Sequence, residues 1–230
     1  MMKALLFALG GGLALLLGLA AVQTMRFESS QVAVEPAPRV MIPPGAAERL
    51  AGAVRIPTIS HDDPAEFDAG AFRSLHAYLQ AQFPWVHSRL QRDTVGTHSL
   101  LYTWSGSDSS LKPFLIAAHL DVVPVEAGTE GSWQESPFGG RIVDGFIWGR
   151  GAIDNKSAVV GTMEAVEMLL ASGFRPRRTV LLAYGHDEEV GGTRSAREIA
   201  ALLKRRGVEL EMVLDEGGVI AEGVLPGDVW

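Results

Sequence analysis

Apolar residues along this chain follow three different patterns. From Ala4 to Val22 they form a continuous, uncharged Leu/Ala/Gly-rich run, preceded by Lys3 and followed by Arg26. That length is close to the roughly 20 apolar residues a helix needs to cross a bilayer, so the run reads as a membrane-directed segment. Two fates fit it: a signal-anchor helix that stays, or a signal peptide cut after the small residues Ala20 and Ala21. The run exceeds the usual apolar core of a signal peptide, which favours retention. With Lys3 on the cytoplasmic side, the remainder is expected outside, either anchored or secreted. From Arg26 to Pro44 the periodicity disappears and four prolines enter among Glu, Ser and Val, the composition of an extended linker. The expected organisation is a membrane-directed segment over 1–25, a Pro-rich linker over 26–44 and a folded part over 45–230.

In the folded part the pattern alternates between two periods. Phe67, Ala71, Leu75, Tyr78 and Leu79 recur at helical spacing, and the run stops near Phe83-Pro84. Segments Val86 to Arg92 and Ser99 to Trp104, with Val95-Gly96 between them, predict two strands joined by a turn. Pro113 to Ala118 and Thr179 to Tyr184 are short and almost wholly apolar, as expected of strands covered on both faces, and Glu211 to Leu214 is a weaker third. Two amphipathic helices lie between them, one carrying Val159, Met163, Val166 and Leu170, the other Ala196, Ile199, Ala200 and Leu203. Buried strands alternating with such helices predict an α/β layered domain with a largely parallel sheet.

Composition narrows the chemistry. The net charge of −7 and the lack of a Lys/Arg-rich block argue against nucleic acid as the partner, because phosphate binding needs a basic footprint. The chain has no cysteine, which rules out disulfides, a thiol nucleophile and cysteine-bound zinc. Neither a phosphate loop nor a serine-nucleophile elbow is present. What remains is a set of groups at predicted strand ends: His119-Leu120-Asp121, Asp187-Glu188-Glu189 and Asp215-Glu216. In open α/β sheets the carboxyl ends of parallel strands form the crevice where ligands bind. A further element, Gly149 to Lys156, sets Asp154 just before a predicted helix.

Each group has an ordinary explanation when taken alone. Asp154 is a suitable helix cap, His119 a hydrogen-bonded structural histidine, Asp121 a turn residue, and the acidic run a solvated loop. Gathered in one crevice, however, so many carboxylates repel one another unless cations neutralise them. A divalent metal site resolves this. His and carboxylate donors suit zinc, and the same donors also suit manganese or cobalt.

The stretches Ala118 to Val125, Trp148 to Lys156 and Gly185 to Gly192 resemble, in order and spacing, the successive motifs of the dinuclear-zinc peptidase and aminoacylase family. The similarity is greatest to its Gly-Xaa carboxypeptidase and N-fatty-acyl-amino-acid hydrolase branch. The resemblance implies a three-layer α/β sandwich with a mixed, largely parallel central sheet. It implies that His119 and Asp215 ligate one zinc, Glu189 ligates the other, and Asp154 bridges them. Glu188 becomes the general base, and Asp121 the carboxylate that orients the His119 ring. The implied reaction is hydrolysis of an amide next to a free carboxylate, in a short peptide or N-acyl amino acid, by water activated between the two zinc ions. The family also uses a late histidine ligand and a lid domain that often dimerises, and neither has a counterpart in these residues. His61, His76, His87 and His98 precede the core motifs and His186 lies in the acidic loop, so a fragment of a longer enzyme is expected and dimerisation stays open. The alternative is a membrane-anchored metal-binding remnant without catalysis.

Overall fold

The computed structural model describes residues 2–27 and 34–217. The chain divides into two units, Met1–Met41 and Ile42–Trp230. In the first, helix α1 (Met2–Arg26) ends on Arg26, and Thr24 Oγ1 donates to the carbonyl of Ala20 at 2.9 Å. Among the described residues it is the one helix long and apolar enough to cross a membrane, a test that a signal sequence also passes. Residues 34–43 carry neither helix nor strand. The rest of the expected linker, 28–33, and the last thirteen positions of the expected domain, 218–230, lie outside the described residues.

The second unit runs α2 (Ala46–Val54), α3 (Ala69–Gln82), α4 (Pro84–Arg89), β1 (Gln91–Val95), β2 (Ser99–Trp104), β3 (Phe114–His119), β4 (Arg141–Val143), β5 (Phe146–Trp148), α5 (Lys156–Ala171), β6 (Val180–Gly185), α6 (Ala196–Arg205) and β7 (Met212–Leu214). Five strands form one sheet in the order β1-β2-β6-β3-β7, while β4 and β5 make a separate hairpin. β6 pairs with β3 and β3 with β7 in parallel, whereas β1-β2 and β2-β6 are antiparallel. The sheet is therefore mixed, with its parallel part confined to three strands.

Side chains alternate across the pleat and divide the core in two. Leu100, Tyr102 and Trp104 of β2 and Leu182 and Tyr184 of β6 pack with Phe72, Leu75 and Leu79 of α3, Val86 of α4, and Val159, Met163 and Val166 of α5. Leu101, Leu115, Leu181 and Ala183 project to the other face, against Ile199 and Leu203 of α6. Helices thus cover both faces, which gives the three layers. Fully burying one such Leu or Phe contributes roughly 1.5–3 kcal/mol, so these two stripes dominate the stability.

One predicted strand is corrected. Val86 to Arg92 is not extended throughout: residues 84–89 are helical, and the strand begins only at Gln91. Pro84 stands at the first helical position, where its fixed φ suits a helix and its missing N–H costs nothing. Val86 and Leu90, four residues apart, both turn into the core. The predicted helix over 67–83 is found as α3, capped by Asp68, whose Oδ1 accepts from the backbone of Gly70 at 2.7 Å and Ala71 at 3.2 Å. The turn at Val95-Gly96 is also present, with Gly96 at φ 59°.

Candidate metal centre

The site follows from the register of the parallel strands. His119 closes β3 directly opposite Gly185, the last residue of β6. β7 runs beside β3 in the same direction and ends at Leu214, so Asp215 and Glu216 emerge at the same sheet edge. The chain beyond β3 is held by an earlier segment. Val122 N donates to the Thr58 carbonyl at 3.0 Å, Ser60 N to the Val122 carbonyl at 3.0 Å, and Thr58 Oγ1 to the Leu120 carbonyl at 2.6 Å.

His119 is buried, and its two ring nitrogens face different partners. Nδ1 lies 3.0 Å from the Asp121 carbonyl and 3.3 Å from Asp121 Oδ1. Nε2 faces carboxylates on the other side: Asp154 Oδ1 at 2.9 Å, Glu216 Oε1 at 3.7 Å and Glu188 Oε2 at 3.9 Å. Burial alone lowers the His119 pKa, but the hydrogen bond and charge of Asp121, with Glu216 and Glu188, lift it to about 9. Asp154 comes from the loop ahead of α5, where Asn155 is the N-cap residue and makes no side-chain capping bond. The Asp154 carboxylate lies against His119 Nε2, and the N-cap position belongs to Asn155. Lys156, one residue further, is buried and donates its Nζ to the carbonyls of Ala53 at 3.1 Å and Ile56 at 2.5 Å, tying this loop to the end of α2.

Asp121 is fully buried. Its Oδ1 accepts from Glu188 N at 3.1 Å and its Oδ2 from Glu189 N at 3.1 Å, and the Ser60 hydroxyl also donates to Oδ2. Burial raises its pKa, yet His119, Ser60 and the Glu189 amide outweigh that and hold the carboxyl below its ordinary value. Glu188 and Glu189 go the other way. Burial raises both first. For Glu188 the neighbouring Glu216, Asp121 and Asp154 add to the rise against the opposing charge of His119, and for Glu189 Asp154 is the next cause. The acidic loop is pinned from beneath by Asp187, whose buried carboxylate accepts from Arg194 N at 2.8 Å.

The residues present fit a divalent cation. His119, Asp154 and Glu216 each offer a ligand atom, all within 4.8 Å of one another. A neutral imidazole nitrogen pointed at three carboxylates repels them unless a proton or a cation lies between, and nitrogen with oxygen donors is a set that zinc accepts. Asp215 lies in the same strand-end segment, and its Oδ1 accepts from Glu216 N at 2.9 Å. Among the described residues the structure thus brings Asp154, Glu188 and Glu216 within 4.0 Å of His119 Nε2, whereas Asp215 and Glu189, also expected from the sequence as ligands, make no such contact with it. The signal for Glu216 was adjacency to Asp215 at a strand end. Two cavities of about 640 and 630 Å³ meet at Glu188 and Asp215. The first is walled by apolar residues of β3 and α6, such as Leu115 and Leu203, and the second by Ile153, Asp154 and Glu216.

This arrangement defines a three-layer α/β protein with a candidate metal centre at the carboxyl edge of its parallel strands. Residues 115–228 match Peptidase family M20/M25/M40. It is 44% identical over 181 residues to the N-fatty-acyl-amino acid synthase/hydrolase PM20D1 of Mus musculus, covering 78% of this chain and 35% of that protein. It is 42% identical over 185 residues to carboxypeptidase S of Saccharomyces cerevisiae, covering 76% of this chain and 32% of that protein. Human carnosine dipeptidase 1 shares the fold, with a TM-score of 0.60 at 22% identity over 76% of this chain and 38% of that one. The chain thus spans about a third of the length of the curated relatives it matches.

Proposed function

We propose that this chain carries the metal-binding and proton-transferring part of a hydrolase that cleaves amide bonds next to a free carboxylate, in N-acyl amino acids or short peptides. The observation that carries the reading is His119 Nε2 aimed at Asp154, Glu216 and Glu188 from a buried ring whose other nitrogen is fixed by Asp121. The names of the mouse and yeast relatives supply the substrate class.

In this reading His119, Asp154, Asp215 and Glu189 would hold two zinc ions. Glu216 stands close enough to His119 to share in this centre. When bound, such ions polarise a substrate carbonyl and acidify a water. Asp121 keeps the His119 ring in the orientation that leaves Nε2 free to ligate. Glu188 is the proton carrier: its raised pKa and half-exposed carboxylate allow Oε2 to take a proton from water and return it to the departing amine. Helix α1 supports export of the domain across a membrane, either anchored or secreted.

Metal analysis of the purified chain tests the reading, with Asp154→Ala as control. Tight uptake of zinc that the control abolishes is the expected result. A chain that takes up no zinc, or takes it up equally well without the Asp154 carboxylate, refutes it.

A further inference from the structure

We propose that Ser60 is a positioning residue of this centre: through the Asp121 carboxylate, its hydroxyl fixes both the ring of His119 and the backbone of Glu188 and Glu189. The inference rests on the metal reading above. Ser60 is 3% exposed and lies in the segment that follows α2, 61 residues from the aspartate it touches.

The case begins with the acceptor capacity of Asp121. An ionised carboxylate offers about four lone-pair sites. Here three hydrogen-bond donors address them, Glu188 N at Oδ1 and Glu189 N and the Ser60 hydroxyl at Oδ2, while His119 Nδ1, bonded to the Asp121 carbonyl, lies 3.3 Å from Oδ1. One fully buried group therefore joins a metal ligand, the general base and a second metal ligand. Of its hydrogen-bond donors, Ser60 alone comes from outside the motifs.

A purely structural use of the hydroxyl is disfavoured by what else holds the segment. Residues 58–60 are already tied to 120–122 by two backbone hydrogen bonds and by the Thr58 hydroxyl on the Leu120 carbonyl. The other acceptor near Ser60 Oγ is the His186 carbonyl, at a long 3.5 Å. The hydroxyl is thus redundant for the segment and specific for Asp121. Without it, Oδ2 keeps one donor and the carboxylate gains freedom to turn about its Cβ–Cγ bond. Because Oδ1 moves with Oδ2, the turn loosens both glutamates and the 3.3 Å pairing with His119 Nδ1 together, leaving the ring only its bond to the Asp121 carbonyl. Outer groups of this kind typically cost about 10–100-fold in metal affinity when removed.

The test is zinc affinity of the full chain by chelator competition, for the unaltered protein, Ser60→Ala, Asp121→Asn and the double variant, with urea denaturation of each metal-free protein. Ser60→Ala is expected to weaken zinc binding by about 10-fold while the metal-free denaturation midpoint changes little. In the Asp121→Asn background the same change is expected to cost nothing further, since residues acting through one group are not additive. Undiminished affinity in Ser60→Ala, or an equal added loss in the Asp121→Asn background, overturns the proposal. A Ser60→Ala chain that fails to fold overturns it too, by assigning the hydroxyl to the fold. If the unaltered chain binds no zinc, the metal reading itself fails.

Discussion

At the scale of single residues the centre is a problem of charge. A buried imidazole presents Nε2 to carboxylates from three separate segments, and burial favours keeping the Glu188 carboxyl protonated longer than in water. That combination suits proton transfer, because a carboxylate is a better shuttle the closer its pKa comes to the working pH. Glu188→Gln keeps size and polarity but removes the titrating oxygen. Under the proposed function this change is expected to lower kcat for amide hydrolysis by about 10²–10⁴-fold. Zinc content should stay unchanged, because Glu188 is assigned to the proton and not to the metal. Parallel turnover and metal analysis check this, and loss of zinc along with activity would make Glu188 a ligand. Strand and loop ends drew attention to His119, Asp121, Asp154 and Glu188, whose roles came from the family resemblance; Asp215 and Glu189, named on the same grounds, stand outside the group around His119 Nε2. Sequence reading missed Ser60, a serine in an unremarkable segment whose partner lies 61 residues away. It also gave Glu216 no role, since which of two adjacent acids turns toward His119 depends on the exit angle of β7.

The short helix α4 shows how an element can depend on a distant one. Its first backbone donors have no partner within the helix. The Glu167 carboxylate on α5 takes them instead, accepting from Trp85 N and Val86 N, both at 2.9 Å. A negative group at a helix N-terminus also interacts favourably with the helix dipole. Glu167→Ala is therefore expected to destabilise the domain by about 1 kcal/mol, as loss of a helix cap does. Urea denaturation of the metal-free protein measures this, and an unchanged midpoint would show that water replaces the carboxylate at no cost. The same dependence explains why residues 86–92 read as a strand. Six residues with Val, His, Ser and Arg carry little helix preference of their own, and the cap lies 81 residues away. The strands at 114–119 and 180–185 were legible for the opposite reason: both faces are buried, so almost every residue in them is apolar. The antiparallel pairing of β2 with β6 was not, because an apolar run gives no direction.

Over the whole domain, four histidines other than His119 share one trend. His76, His87, His98 and His186 all have pKa values lowered first by burial, and His76 is brought down to about 4. His76 Nε2 meets the His98 carbonyl at 2.9 Å, a contact that raises its pKa but does not offset burial, and the charge of Arg92 lowers it further. In the unfolded chain a histidine titrates near 6.5. Above about pH 6.5 His76 is neutral in both states and contributes nothing to pH dependence. As pH falls below that value the unfolded chain takes up a proton that the folded one refuses, so stability declines until the folded His76 titrates, at about pH 4. Depressed carboxylates such as Asp93 also cost stability on acidification, but only near and below their unfolded value of about 4. Glu188 and Glu189, with raised values, act in the opposite direction over the lower part of the window. A single variant separates these contributions. His76→Gln keeps a donor for the His98 carbonyl and removes only the titration. Between pH 7 and pH 4.5, the denaturation midpoint of the metal-free protein is expected to fall more steeply with His76 than with glutamine. Parallel curves would mean that His76 takes up its proton in the folded state, and that water reaches the space between α3 and the β1-β2 turn.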